Sequence, residues 1–351
     1  MLRPITLLTL AALAGAALPS EAQVYPERVR SVTRTVVRPT VERYQRDTDR
    51  ATESERITRT LKLGANGDID IGNIAGDITI IRGGGSDVVI EAIKTSRART
   101  AEEAKAVLPL VEVDISDRAG RVEARTRYPR NDDNRRRNWR NINVSVAFNV
   151  TAPDRARITV NTISGNISVK DIKGDLTLET ISGNVQIGNA GRVSKAKTVS
   201  GDVEIVDTTV EGVMSASTIS GILLMRNIKA RQLELGSISG NVIVEHVTAE
   251  RVEAQSISGE IKLTGPLVRG GRYDLGSHSG TIEVVLTGDV GFEIEASSFS
   301  GSVRTDLPLK LSGVSQAGSR GRQRSIRGSY GDGSAFLDLT TFSGSVVLSK
   351  K

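Results

Sequence analysis

The residues best suited by type to carry chemistry are serines. Ser-Gly recurs at Ser164-Gly165, Ser182-Gly183, Ser200-Gly201, Ser220-Gly221, Ser239-Gly240, Ser258-Gly259, Ser279-Gly280, Ser300-Gly301 and Ser343-Gly344. A serine becomes a nucleophile only beside a positioned base, and the chain holds two histidines, His246 and His278. Nine equivalent serines served by two histidines point to structure rather than catalysis. His278 stands in the slot that Ile163, Ile181 and Phe299 fill in other units, so it is expected to pack at a corner. His246 lies beside a turn and is expected to be solvated.

Carboxylates give no clearer site. Solenoids that cleave acidic polysaccharides group acids on one outer face, and the column four residues past each serine runs Ser168, Gln186, Glu204, Leu224, Ile243, Lys262, Glu283, Arg304, Val347. That mixture offers no acid pair at glycosidase spacing. The Gly-Asp and Gly-Asn pairs lack the tandem Gly-Gly-x-Gly-x-Asp of calcium-binding rolls and fit turn chemistry instead. Gly83-Gly84-Gly85 is a turn, because no Lys-Ser pair opens a helix after it. With no cysteine there is no thiolate metal site, and no metal or cofactor is expected. Two arginine-rich stretches remain as possible binding loops: Arg135, Arg136, Arg137 and Arg140 around Trp139, and Arg320, Arg322, Arg324 and Arg327. Charge runs of this kind usually mark solvated surface. Should these bind, anionic envelope polymers or a surface or periplasmic protein are the targets. Aromatic residues make up 3% of the chain, too few for a single-strand stacking platform, so no nucleic-acid partner is expected.

The elements that must position these residues repeat with them. Intervals between the serines are 18, 18, 20, 19, 19, 21, 21 and 43, the last about two repeat lengths. Two residues before each serine stands a hydroxyl (Thr162, Thr180, Thr198, Thr218, Ser237, Ser256, Ser277, Ser298, Thr341), and two after each glycine an aliphatic (Ile167 to Val346). Four residues before the serine is another apolar position, from Val160 and Leu178 to Leu339. Nine matches at four positions exclude chance. One such unit cannot bury its inward residues. Stacking coils about 4.8 Å apart pairs every backbone group and aligns like residues as ladders. The fold class is therefore all-β: a parallel β-solenoid, or single-stranded β-helix, of about 19–21 residues per coil, with a short mainly-β part before it. Glycine suits the corner torsion, and the hydroxyls can satisfy one another or the corner amides.

Around this core the chain divides by composition. Arg3, the apolar run Ile5–Leu18 and Ser20-Glu21-Ala22 before Gln23 form a secretory signal peptide over 1–22. The apolar run is too short for a membrane span, and nothing later approaches one. Residues 23–56 interleave arginines with acids and form a charged flexible stalk. A β-rich part follows over 57–142, with one short helix opened by Thr100 and the capping-box Glu103. The repeats fill 143–351, interrupted by an inserted Gly/Arg-rich loop at 313–333, and the strand after Phe342 is expected to cap the stack. The net charge of +6 survives removal of Arg3 and Glu21, so the basic excess belongs to the exported protein.

Carried by Thr162-Ile163-Ser164-Gly165-Asn166-Ile167, Thr180-Ile181-Ser182-Gly183-Asn184-Val185 and Thr341-Phe342-Ser343-Gly344-Ser345-Val346, residues 57–350 resemble the bacterial putative-adhesin β-strand-repeat domain of unknown function. That domain is similar to autotransporter-adhesin head domains. The resemblance implies an exported solenoid, periplasmic, cell-surface or secreted, with no catalytic residues to carry over. The expected role is a non-enzymatic adhesin-like, scaffold or binding module of the envelope. A carbohydrate-active β-helix enzyme and a sensory or regulatory envelope protein with a protein partner stand as alternatives.

Overall fold

The computed structural model describes residues 50–118, 120–129, 143–312 and 324–351, all within the unit Thr48–Lys351. The expected signal peptide lies outside the described residues, as do 23–49 of the expected stalk. Each coil contributes one strand to each of two sheets, which among the described residues hold 13 and 14 strands. In one coil Asp175–Ser182 runs into the corner and Val185–Gly188 leaves it. Both pair parallel with the coil below: Leu176 opposite Ile158, Leu178 opposite Val160, Ser182 opposite Ser164, and Val185 opposite Ile167. Side chains alternate across a strand, so every second residue enters the space between the sheets. Leu176, Leu178, Val185 and Val203 are wholly buried there, each worth roughly 1.5–3 kcal/mol of burial.

The stack begins earlier than the repeat does. Asp68–Ala75 and Ile78–Arg82 form a full coil directly below the Ser164 coil, with Ala75 opposite Ser164 and Ile78 opposite Ile167. The expected boundary at 142/143 is therefore corrected. Its corner reads Asn73-Ile74-Ala75-Gly76, with asparagine for the hydroxyl and alanine for the serine. Below it antiparallel strands close both sheets. Asp87–Ala98 pairs with Val144–Ala152 and with Ala51–Lys62, and Glu112–Arg118 pairs with Arg121–Arg127. Residues 51–56, expected in the stalk, are thus strand. Their side chains mostly face solvent, where a charged edge strand is at home. The helix forms as expected over Ala101–Val107, and the Thr100 hydroxyl accepts the Glu103 amide at 3.1 Å.

The other end departs further from expectation. The final coil, Ala335–Thr341 and Ser345–Lys350, does not cap the stack but lies between two earlier ones. Ile282 and Val303 both pair with Val346, and Leu275 and Ala296 both pair with Leu339. The Ser300 coil is outermost. The expected loop at 313–333 is also corrected, because Ser325–Tyr330 is a strand antiparallel to Phe292–Ser298. Arginines and glycines hide it in the sequence, while its buried Ile326 and Gly328 alternate as a strand requires.

Candidate functional site

The Ser-Gly corner is a stacking device. A Cβ at Gly183 would overlap the carbonyl oxygen of Gly165, and one at Gly201 that of Gly183. Backbone thus lies on backbone with no room for a side chain. Gly165, Gly183, Gly201 and Gly221 also hold φ between +147° and +152°, a region other residues avoid. The hydroxyl two residues before the serine secures the contact. Thr198 donates to the Gly183 carbonyl at 2.9 Å, Thr218 to Gly201 at 3.0 Å and Thr341 to Gly280 at 3.1 Å. The residue after the glycine adds a second ladder, with Asn166 Oδ1 accepting the Asn184 amide and Asn184 Oδ1 the Asp202 amide, each at 2.9 Å. The Gly-Asp and Gly-Asn pairs therefore serve turns. No group of three or more His, Asp or Glu among the described residues is placed to hold a metal ion.

All nine corner serines are exposed, and so is the residue before most of them. In spatial order that column runs Ile74, Ile163, Ile181, Val199, Ile219, Ile238, Ile257, His278, Phe342, Phe299. Ile181 is 49% exposed, Ile257 51% and Phe299 68%. Over the last coils the column becomes a ring stack. His278 lies on Phe342 with centroids 5.0 Å apart, and Phe342 on Phe299 at 4.7 Å, nearly parallel in both cases. His278 does occupy the corner slot. His246 stands at the opposite corner with φ +52°, in line with Asp171, Asn189, Asp207 and Asn227.

Beside the ring stack the incoming sheet carries an open cleft of about 840 Å³. Its floor is the column three residues before each serine: Gln255, Gly276, Thr340, Ser297. Two residues further back on the same face runs a line of acids, Glu234, Glu253, Asp274, Asp338 and Glu295, each opposite the next, and Asp274 lines the cleft. Burial first, then the neighbouring Asp338 and Glu253 charges, raise the Asp274 carboxyl above the usual range, and Arg272 and Arg251 offset this in part. Ser237 and Ser256 also line the cleft. Both are buried, and neither hydroxyl has a hydrogen-bond partner among the described residues. A smaller cleft of about 450 Å³ lies at the other end of the same column, over Asn161, Glu179 and Lys197.

Of the arginines singled out by sequence, Arg135, Arg136, Arg137, Arg140, Arg320 and Arg322 lie outside the described residues, as does Trp139. Arg324 lines the cleft, and its carbonyl accepts the Ser298 amide. Arg327 belongs to the Ser325–Tyr330 strand and pairs with Glu295. The column four residues past the serine carries the ion pair Lys262–Glu283 at 2.7 Å. Sequence inspection missed the acidic column because it stands on the incoming sheet. Its signal is present as Glu or Asp five residues before Ser239, Ser258, Ser279, Ser300 and Ser343.

Among solved structures the chain is similar to a putative adhesin from Bacteroides fragilis, at 14% identity over 85% of this chain and 97% of that one, with a TM-score of 0.40. A putative lipid binding protein from Parabacteroides distasonis aligns at 13% identity over 84% and 96%, TM-score 0.39. A putative cell adhesion protein from Clostridium sporogenes aligns at 10% over 86% and 100%, TM-score 0.23. Scores this low carry no inference about ligand or role. The comparison with curated proteins gives no match. The family models do better: residues 57–349, from the first strand through the intercalated last coil, match a single one. With the stacked corners inside that span, the chain belongs to the Toastrack DUF4097 family.

Proposed function

We propose that this chain is an exported, non-enzymatic binding module of the cell envelope, adhesin-like or scaffolding, that holds its partner along the exposed corner column. The observation that carries this reading is the column itself. Ten successive coils present an apolar or aromatic side chain at the same outer position, where the fold needs none. An aligned apolar stripe on a soluble surface is characteristic of an interaction site. Export is supported by the n-region, apolar run and small-x-small signal of residues 1–22. A binding rather than catalytic role is supported by the corner serines, whose repeat is explained by stacking, and by His278, which is engaged in the ring stack.

The test is co-sedimentation of the full chain with isolated bacterial envelopes. Ile257→Ser combined with Phe342→Ser and Phe299→Ser should release the protein into the supernatant. Arg320→Ser with Arg322→Ser should not. Equal pelleting of the column variant and the parent overturns the proposal. Release by the arginine variant alone transfers the site to that segment and to an anionic polymer.

A further inference from the structure

On the reading of the corner column as a binding surface, we infer that the cleft over the last five coils receives an extended polypeptide segment of alternating apolar and basic residues. Three features coincide on those coils and nowhere else among the described residues. The apolar wall becomes aromatic, from Ile257 through His278 and Phe342 to Phe299. The floor carries short residues at Gly276, Ser297 and Thr340, with the Gln255 side chain lying over Gly276. The column beyond the floor, from which Asp274 lines the cleft, is acidic on every rung.

Charge complementarity identifies the occupant. Like charges placed on neighbouring rungs about 4.8 Å apart repel, and the fold does not require them there. In the first coils the same column reads Asp70, Thr159, Thr177, Lys195 and Ser215. Its one acid, Asp70, is held by Arg121 at 2.7 Å and Arg125 at 2.9 Å. In the last coils Glu295 is held by Arg327, while Glu253 and Asp274 form no ion pair with a described residue. Arg251 and Arg272 approach Asp274 only closely enough to moderate it, and Arg272 lies over the Phe336 ring at 5.1 Å.

The geometry specifies an extended chain. Five rungs span about 19 Å, and an extended segment of about six residues covers that length. Laid along the cleft, its side chains point alternately to the two walls, so apolar residues meet the ring stack while cations meet the carboxylates. Guanidinium groups suit both, since they pair with carboxylates and stack on rings.

The test uses the full chain and a fluorescent eight-residue Val-Arg repeat peptide, read by polarisation, against Val-Glu and Ser-Arg repeats of the same length. The Val-Arg peptide should bind best. Glu253→Gln with Asp274→Asn should raise its Kd at least about tenfold, as should Ile257→Ser with Phe342→Ser. Raising salt from about 0.01 M to about 1 M should weaken binding as the Debye length shrinks. Equal binding of the Val-Glu repeat, or an unchanged Kd in the carboxylate variant, overturns the inference. So does a fluorescent fatty acid that binds the cleft regardless of the carboxylates while the peptide does not. Failure here combined with envelope release by the column variant leaves the proposed function standing without this partner. Loss of both removes the surface altogether.

Discussion

The first and last coils of the stack share one interior and differ outside it. Inside, Val160, Leu178, Leu275 and Leu339 occupy equivalent buried positions, and the hydroxyl-to-glycine contact recurs from Thr198 to Thr341. Outside, the early coils neutralise their charges, as in Lys195–Glu179 at 2.7 Å and the two arginines on Asp70. The late coils leave Glu253 and Asp274 without ion pairs among the described residues and exchange isoleucine for aromatic rings. Stacking constrains the inward columns and the corner backbone and leaves the outward columns free. The outward columns are therefore where a role can be written without unfolding the molecule, and the late coils are where it stands.

That division is broken most directly at the shared interior. Gly183→Val forces a side chain into the Gly165 carbonyl and should cost about 4 kcal/mol or more, measured as the shift in urea midpoint. Leu178→Ala should cost about 2–5 kcal/mol by opening a cavity. An effect below about 1 kcal/mol from either would show that the coils tolerate looser stacking than the register implies. The hydroxyl column sharpens the contrast. Thr198→Val breaks a 2.9 Å bond to Gly183 and should cost about 1 kcal/mol, whereas Ser256→Ala, whose hydroxyl has no partner among the described residues, should cost little or gain stability.

The outer surface should respond in the opposite sense. Ile181→Ser in the early coils and Phe299→Ser in the late ones should each change stability by less than about 0.5 kcal/mol, with the latter impairing envelope binding more. The smallest effect concerns Asp274. Because its native value is raised, ionisation disfavours the folded state. Its contribution is therefore fully present below the ordinary value of 3.8 and lost as pH rises through the raised one. Asp274→Asn should be slightly more stable than the parent at pH 7. It should match the parent below pH 3.8 in paired denaturation curves. A destabilised Asp274→Asn at pH 7 would mean that the carboxylate has a native partner.

Much of the scaffold is legible in the chain, because period-two alternation and an 18–21-residue recurrence leave few other ways to bury Val160, Leu178 and Leu235 together. The first corner escapes notice since Asn73 and Ala75 replace the residues that mark the others. Asn73 holds its place by different bonds, its Nδ2 donating to the carbonyls of Gly76 and Val146. The cleft is less legible. Its acids recur at the repeat interval, but Asp338 is 64 positions from Asp274 and 43 from Glu295 by residue number. It comes to lie between them only because the last coil enters the stack out of order.

Residue types and spacing alone determined that the chain stacks coils, which columns face inward and why each corner ends in glycine, for these follow from local torsion, alternation and burial. Tertiary structure alone decided the order of the final coils and hence the continuity of the rings and carboxylates. The physical reason is that equivalent coils present nearly the same backbone donors and acceptors to one another. Neighbour choice is then set by long-range closure, which no local pattern encodes.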